Sequence, residues 1–319
     1  MLSNRTKIRD LIYSNLLYVI AIVFIVIFGI FNPRFLAAQN IVNIFAQSSV
    51  LLLLGIGMAL ALITKGLDMS VGSILFLCSA TMWTLNRTYG IGMGGMMLAS
   101  ILVGISAGAV NGLIISLLRV HSLLPTLATM FVFRGLALII NGGGASPMPM
   151  FWIGIIRLRV GMVPVHVFVA LGLLIITQVL LNKTKIGRHI YALGDSEKTA
   201  YAKGISSFKS KMIVYTVSGL MCGIAAIIIT AQAMSVPPSL GLGMEFRVVT
   251  AVVLGGVSMF GGRGTVAPGV IVGGLLLAII SNVLVILTAP ARMYVIVFAL
   301  VILFVVLLDT LKNRNSDFL

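Results

Sequence analysis

Ten apolar runs separated by short polar joints fill this chain, and most are about as long as a bilayer is thick. They cover residues 14–31, 45–64, 72–86, 96–118, 124–140, 164–181, 212–233, 245–259, 266–288 and 293–311. A helix needs about 20 mostly apolar residues to cross the hydrocarbon core. With 60% hydrophobic and 9% charged residues among 319, too few polar side chains remain to cover a soluble surface. The expected fold is an all-α polytopic membrane protein of about ten transmembrane helices, embedded as one domain over 1–319. The eighth run is short and Gly-rich, and 37–45 reads as a short amphipathic piece at the membrane interface before the second span.

Charge orients these spans. With the N-terminus in the cytoplasm, 15 of the 22 Lys and Arg residues fall inside, from Arg5, Lys7 and Arg9 to Lys312 and Arg314. Five fall outside (Arg34, Arg87, Arg157, Arg159 and Arg292), while Arg134 and Arg247 lie within spans. That is a positive-inside bias, and ten spans return the C-terminus to the cytoplasm. Arg5, Lys7 and Arg9 precede an apolar stretch, but Asn32-Pro33-Arg34-Phe35 offers no small-residue cleavage site. The stretch therefore reads as a first transmembrane helix rather than a signal peptide. The net charge of +15 does not indicate nucleic acid, because the basic residues sit in short loops without interleaved aromatics for stacking. Cys78 and Cys222 lie singly in apolar runs, and His121, His166 and His189 have no ligand spacing, so no metal site is expected.

Two joints interrupt the spans. One is Lys65-Gly66-Leu67-Asp68-Met69-Ser70-Val71-Gly72; the other runs from Pro237 and Pro238 to Glu245. If spans two to five repeat as seven to ten, the joints correspond and lie on opposite sides of the membrane. That is the pattern of two inverted-repeat halves with short broken or re-entrant helices, common in transporters.

None of the seven acidic residues falls in the middle of an expected span, where ion-coupled carriers usually keep one. No Gly-x4-Gly-Lys-Ser/Thr is present, so ATP is not bound by that route. Gly262-Arg263-Gly264-Thr-Val-Ala267 matches a dinucleotide fingerprint in letters only, without the strand-turn-helix context or the later acid. Paired carboxylates, a nucleophile–base pair and a metal cluster are all missing, which argues against a membrane enzyme.

Several residues stand out inside this frame. Asp68 and Ser70 follow a helix break, where Asp68 either caps the next helix or faces a pathway. Asn111 and Asn282 lie within apolar spans, where amides bond across helices; contact with a solute is the second reading. Arg134 falls inside the fifth span, where snorkelling, Glu245 or a backbone carbonyl would satisfy it. Glu245 and Arg247 stand near the outer mouth, to pair locally or meet a docking partner. Gly255, Gly256, Gly261, Gly262 and Gly264 make either a tight turn or a close-packed hinge.

The longest polar segment is 183–211. Within it, Asp195 or Ser196 can cap a short helix, Glu197 suits its first turn, Gly204 can close it, and Ala200, Tyr201 and Ala202 ride on it. A solvated loop drawn to anionic lipid is one reading. A short helix docking into a soluble partner is the other, and the caps favour it.

Together these segments resemble the permease subunits of bacterial ABC importers for ribose, xylose, arabinose and related sugars. The marks are Gly66-Leu-Asp68-Met-Ser70-Val-Gly72-Ser73, Asn111-Gly112, Thr129-Met-Phe-Val-Phe-Arg134-Gly135, Gly187-Arg188-His-Ile-Tyr-Ala-Leu-Gly194 and Ala251-Val-Val-Leu-Gly255-Gly256-Val-Ser258 with Gly261-Gly262-Arg263-Gly264. The resemblance implies an inner-membrane importer with two permease subunits, identical or related. A cytoplasmic ATPase that binds ATP and magnesium and a periplasmic sugar-binding protein complete it. This chain would bind no cofactor and would meet lipid, a small sugar and no nucleic acid. It also implies that 183–211 holds the coupling helix, near 194–204, with Gly187, Arg188, Gly194, Asp195, Glu197, Ala200 and Gly204 serving the ATPase contact. Where the family usually has Gly-Asn-Glu-Glu-Ala-Ala, this chain has Gly194-Asp195-Ser196-Glu197-Lys198-Thr199-Ala200. It has Phe246-Arg247 where the family often has Leu-Asp. The alternatives to this reading are an ion-coupled secondary transporter and an ABC permease for amino acids.

Overall fold

The structure is a computed structural model and describes residues 29–30 and 33–314. The expected first span, 14–31, and the terminal charges Arg5, Lys7 and Arg9 lie outside the described residues, apart from 29–30. The described chain is almost wholly helical. In order, the helices are α1 (Ala38–Ile63), α2 (Val71–Tyr89), α3 (Met93–Leu118), α4 (Leu123–Asn141), α5 (Gly154–Arg157), α6 (Val165–Lys183), α7 (Lys185–Asp195), α8 (Glu197–Ala202), α9 (Ser207–Ala233), α10 (Met244–Leu254), α11 (Ala267–Ile286) and α12 (Ala291–Arg314). Six of them (α1, α3, α4, α6, α9 and α11) are long and apolar enough to cross a membrane. The chain is an all-α, multi-pass membrane protein.

Burial separates the centre of the bundle from its rim. In α1, 89% of the apolar window is buried, against 28% in α4 and α6. An apolar helix buried on every side is a core helix, and one with an open apolar face suits lipid. Phe131, Ile139 and Ile175 are among the side chains on such open faces. The segment 37–45 is no separate interfacial piece, because α1 runs through it without a break from Ala38. Nothing in its sequence stops a helix.

The most extensive helix–helix contact joins α3 to α9. Ser100, Gly104 and Gly108 line one helix and face Gly219 and Gly223 of the other, where a Cβ on any of these glycines would strike backbone, and Gly112 continues the stripe against Met212. Small residues allow such close approach, which substitutes for hydrophobic driving force in a bilayer.

Two short antiparallel pairs cover the end of the bundle away from α7 and α8, here the far face. β1 (Ser146–Pro147) pairs with β4 (Ser235–Val236), and β2 (Arg159–Val160) with β3 (Val163–Pro164). The end carrying α7 and α8 is the basic face.

Candidate functional site

The two joints converge. After α1 ends at the basic face, 64–70 turns back into the bundle and α2 starts there. After α9 ends at the far face, 235–243 also turns inward and α10 starts inside. The two breaks meet at Gly72 and Gly241, where a Cβ on either would fall on the other's carbonyl oxygen. The joints therefore enter from opposite faces but do not stay there, which corrects the expected placement. α10 has 11 residues, or about 16 Å, roughly half a bilayer core. The expected eighth span, 245–259, is thus a half-helix followed by a glycine turn. α2 and α10 run away from the crossing in opposite directions.

Asp68 stands beside this crossing and is fully buried. Its Oδ1 accepts from the Ser70 backbone N–H at 3.1 Å and from Ser70 Oγ at 2.6 Å. Its Oδ2 accepts from Ser218 Oγ, near the middle of α9, at 2.7 Å. Asn111 Nδ2 donates to Ser70 Oγ at 2.7 Å, while Asn111 Oδ1 has no hydrogen-bond partner among the described residues. An acid does lie deep in the bundle, correcting the expectation drawn from span boundaries. The reason is the re-entrant joint, which carries a loop residue to mid-helix depth. Asp68 is not the cap of α2: that position belongs to Ser70. Ser122 Oγ and Thr126 Oγ1 accept from the N–H groups of Leu67 and Met69, so α4 secures the rest of the joint.

Arg134 holds the other joint. Its Nη1 donates to the Leu240 carbonyl at 2.7 Å and its Nη2 to the Pro238 carbonyl at 2.6 Å. The guanidinium also lies 4.7 Å from the centroid of the Phe76 ring. Of the three expected partners, the backbone carbonyls take its hydrogen bonds, while the Glu245 carboxyl acts on it through charge alone. Glu245 is buried in the first turn of α10, where the helix dipole favours a carboxylate. Asn282 stands apart from this cluster. It exchanges two 2.9 Å amide bonds with Asn40 and ties the start of α1 to α11.

The basic segment is more ordered than a loop with one helix. Thr184 caps α7 by accepting from the Gly187 N–H at 3.2 Å. Gly187 sits flush on the backbone of Leu181. Ser196 caps α8, accepting from the Thr199 N–H at 3.2 Å, and Gly204 follows it at φ 74°. Glu197 accepts from Ser207 Oγ at 2.6 Å and from Lys211 Nζ at 3.0 Å. The Ser207 bond above all, with a lesser share from Lys211, holds its carboxyl below the usual range against the opposing effect of burial. Ala200 is buried, while Arg188, Asp195 and Lys198 are exposed and Tyr201 is 80% exposed. Burial pushes the Tyr191 hydroxyl up, and that hydroxyl donates to the Gly264 carbonyl at 2.8 Å.

Three elements interlock where α7 ends. Gly194 lies so close to α1 that a Cβ would strike the Ile63 carbonyl oxygen and approach Gly262 N to 2.6 Å. Gly262 N–H donates to that Ile63 carbonyl at 2.9 Å, and Lys65 Nζ donates to the Asp195 carbonyl at 2.8 Å. The glycine cluster is both a turn and a packed joint. Gly256, Gly261, Gly262 and Gly264 have positive φ, and Gly255 packs on the backbone of Gly269. The end of α7 thus touches both α1 and the α10–α11 turn.

The expected site residues therefore fall into three groups: the α7–α8 unit with the glycine turn, the crossing with Asp68, Ser70, Asn111, Arg134 and Glu245, and Asn282 by itself. Sequence reasoning missed Lys65, Ser122, Thr126 and Ser218. Among the described residues no group of three or more His, Cys, Asp and Glu side chains could hold a metal ion.

Comparison with known proteins places the chain among transport-system permeases. The family described as branched-chain amino acid transport system / permease component matches residues 40–306. The ribose import permease protein of Escherichia coli (strain K12) is 35% identical over 301 residues, 92% of each chain. The D-allose transport system permease protein of the same strain is 33% identical over 299 residues, 93% of this chain and 91% of that one. The autoinducer 2 import system permease protein of Yersinia pestis (strain Pestoides F) is 33% identical over 290 residues, 88% of this chain and 80% of its own. No solved structure matches.

Proposed function

The chain belongs to the family of branched-chain amino acid transport system permease components, and from that premise we propose that it is the transmembrane subunit of an ATP-driven importer for a small sugar. The relatives named above are permeases of ribose, allose and autoinducer 2 systems, which favours a sugar or sugar-like solute over an amino acid. The chain sits in the bacterial inner membrane with about ten spans, both termini in the cytoplasm and the basic face inward. The halves containing α2 and α10 form an inverted repeat. A second permease subunit completes the pathway, and a periplasmic binding protein delivers the sugar. ATP and magnesium stay on a separate ATPase; this subunit does no chemistry of its own.

The observation that carries this reading is the α7–α8 unit. It is capped at both helix starts, exposes Tyr201 and Lys198, and is wedged by Gly194 against α1. A solvated lipid-facing loop needs neither the caps nor the wedge. In the importer, ATP binding draws the ATPase pair together and α8 passes that displacement through Gly194 to α1 and to the α10–α11 turn. The crossing at Gly72 and Gly241 then rearranges, and access alternates.

The test is co-purification of the ATPase with tagged chain, intact and with 196–203 replaced by a flexible linker. Recovery of the ATPase with the intact chain alone supports the proposal. A chain that takes up solute by itself in liposomes, driven by an ion gradient, overturns it.

A further inference from the structure

The far-face half of the bundle holds a cavity of about 200 Å³ between α1, α9, α10 and α11. Its wall includes Gln47, Ser48, Gln232, Arg247 and Ser281 beside aliphatic side chains. Arg247 is unusual there. Nη2 reaches Ser281 Oγ at 3.3 Å and the guanidinium lies 4.7 Å from the Phe298 ring centroid. Among the described residues its Nε is buried without a hydrogen-bond partner, and no carboxylate pairs with it. A charged group inside a membrane bundle is costly, and one without a counter-ion marks a site that meets something else.

The other groups on the wall decide the ligand class. Ser48 and Ser281 donate to the Phe45 and Leu277 carbonyls, and the Ser281 oxygen also accepts from Arg247, which leaves the Ser48 oxygen as an acceptor on the wall. Gln232 Nε2 donates to the Ala46 carbonyl at 2.9 Å, which leaves its Oε1 as an acceptor. The Gln47 side chain makes no hydrogen bond among the described residues and offers both kinds of group. An anion wants donors only. A wall mixing a guanidinium fork, amide and hydroxyl acceptors and aliphatic surface suits a ligand alternating O–H and C–H. The volume is below the ~300 Å³ typical of the smallest drug-sized pockets, which favours one sugar ring over two.

We propose that this cavity is a binding site for one monosaccharide within each permease subunit, with Arg247 as the hydroxyl-binding fork and Gln47 and Gln232 beside it. This rests on the sugar-import reading and adds a waystation inside the chain to a pathway between two chains.

The test uses the assembled permease–ATPase complex in lipid nanodiscs, with Ala278→Cys placing a thiol on the cavity wall. Native Cys78 and Cys222 are fully buried, so the unsubstituted chain sets the background for labelling by methyl methanethiosulfonate. D-Ribose or D-allose is expected to slow labelling severalfold and saturably. Sucrose and sodium phosphate are not, and Arg247→Gln or Gln232→Ala is expected to abolish the protection. Met244→Cys gives the same readout if Ala278→Cys does not assemble. Absence of saturable protection by both aldoses overturns the site, and so does protection by phosphate or sucrose equal to theirs. ATPase co-purification from the same preparation keeps a failure of the site distinct from a failure of the importer reading.

Discussion

Ser218 donates its hydroxyl to Asp68 Oδ2 across 2.7 Å, joining the middle of α9 to the re-entrant joint before α2. The two residues are 150 positions apart and meet in a place sealed from solvent. Among the described residues no cation pairs with Asp68. Hydroxyl and amide donors alone balance it, so the loss of one matters more than at a surface. Ser218→Ala is expected to destabilise the bundle by about 1–2 kcal/mol, the upper range for polar contacts between membrane helices. A double-mutant cycle with Asp68→Asn, read by unfolding in mixed micelles, should show positive coupling. Additive single effects would mean the contact contributes nothing.

Gly194→Ala tests the wedge between α7 and α1. The added methyl would strike the Ile63 carbonyl oxygen, so α7 must move away from the bundle. Overpacking of this kind costs about 1–3 kcal/mol. The exposed face of α8 is untouched, so the ATPase should still co-purify while sugar uptake falls about tenfold, the rate equivalent of ~1.4 kcal/mol. Gly135→Ala is the control, because a Cβ there meets nothing within 4 Å. Equal uptake by the two variants would sever α7 from the transport cycle.

Much of this arrangement was legible in the chain before its fold. Apolar run length located the six long described helices, and the caps at Ser196 and Gly204 outlined α8. The breaks at Gly66–Gly72 and after Pro237 were visible as punctuation, but their depth was not. Hydropathy reports how apolar a segment is, not that two breaks from opposite faces touch at Gly72 and Gly241. For the same reason Asp68 read as a boundary residue and Ser218 passed unnoticed. One missed signal was available: Ser100, Gly104, Gly108 and Gly112 recur every four residues on α3, the stripe small residues need for close helix contact. Arg247 was visible as a charge in a span, but its missing counter-ion depends on four helices from different parts of the chain.

Arg134→Lys should loosen the far-face joint without unfolding the bundle. The guanidinium spans two carbonyls, those of Pro238 and Leu240, in one planar fork. A lysine ammonium is a point charge on a stem that cannot reproduce that geometry. Segment 235–243 is expected to become more accessible, read as severalfold faster thiol labelling of Leu242→Cys, an exposed position on it. Labelling unchanged from the Arg134 parent would show that the crossing at Gly72 holds the joint by itself.

Acid should release α8 before it affects the bundle. Ser207 and Lys211 hold the Glu197 carboxyl below its ordinary value of 4.5. A group whose folded value is depressed contributes stability above its unfolded value, and that contribution fades as pH falls through the folded one. The Lys211 pair is exposed on the Glu197 side, so its share is small and salt-sensitive. Hydrogen-exchange protection of amides in α8, corrected for intrinsic rates, is therefore expected to be level above pH 4.5 and to decline below it. Amides in α1 should hold through the same range. Glu197→Gln cannot ionise and keeps one acceptor for Ser207, so it should flatten the pH profile at a slightly lower plateau. A Glu197→Gln profile that declines like the parent's would assign the acid response to another group.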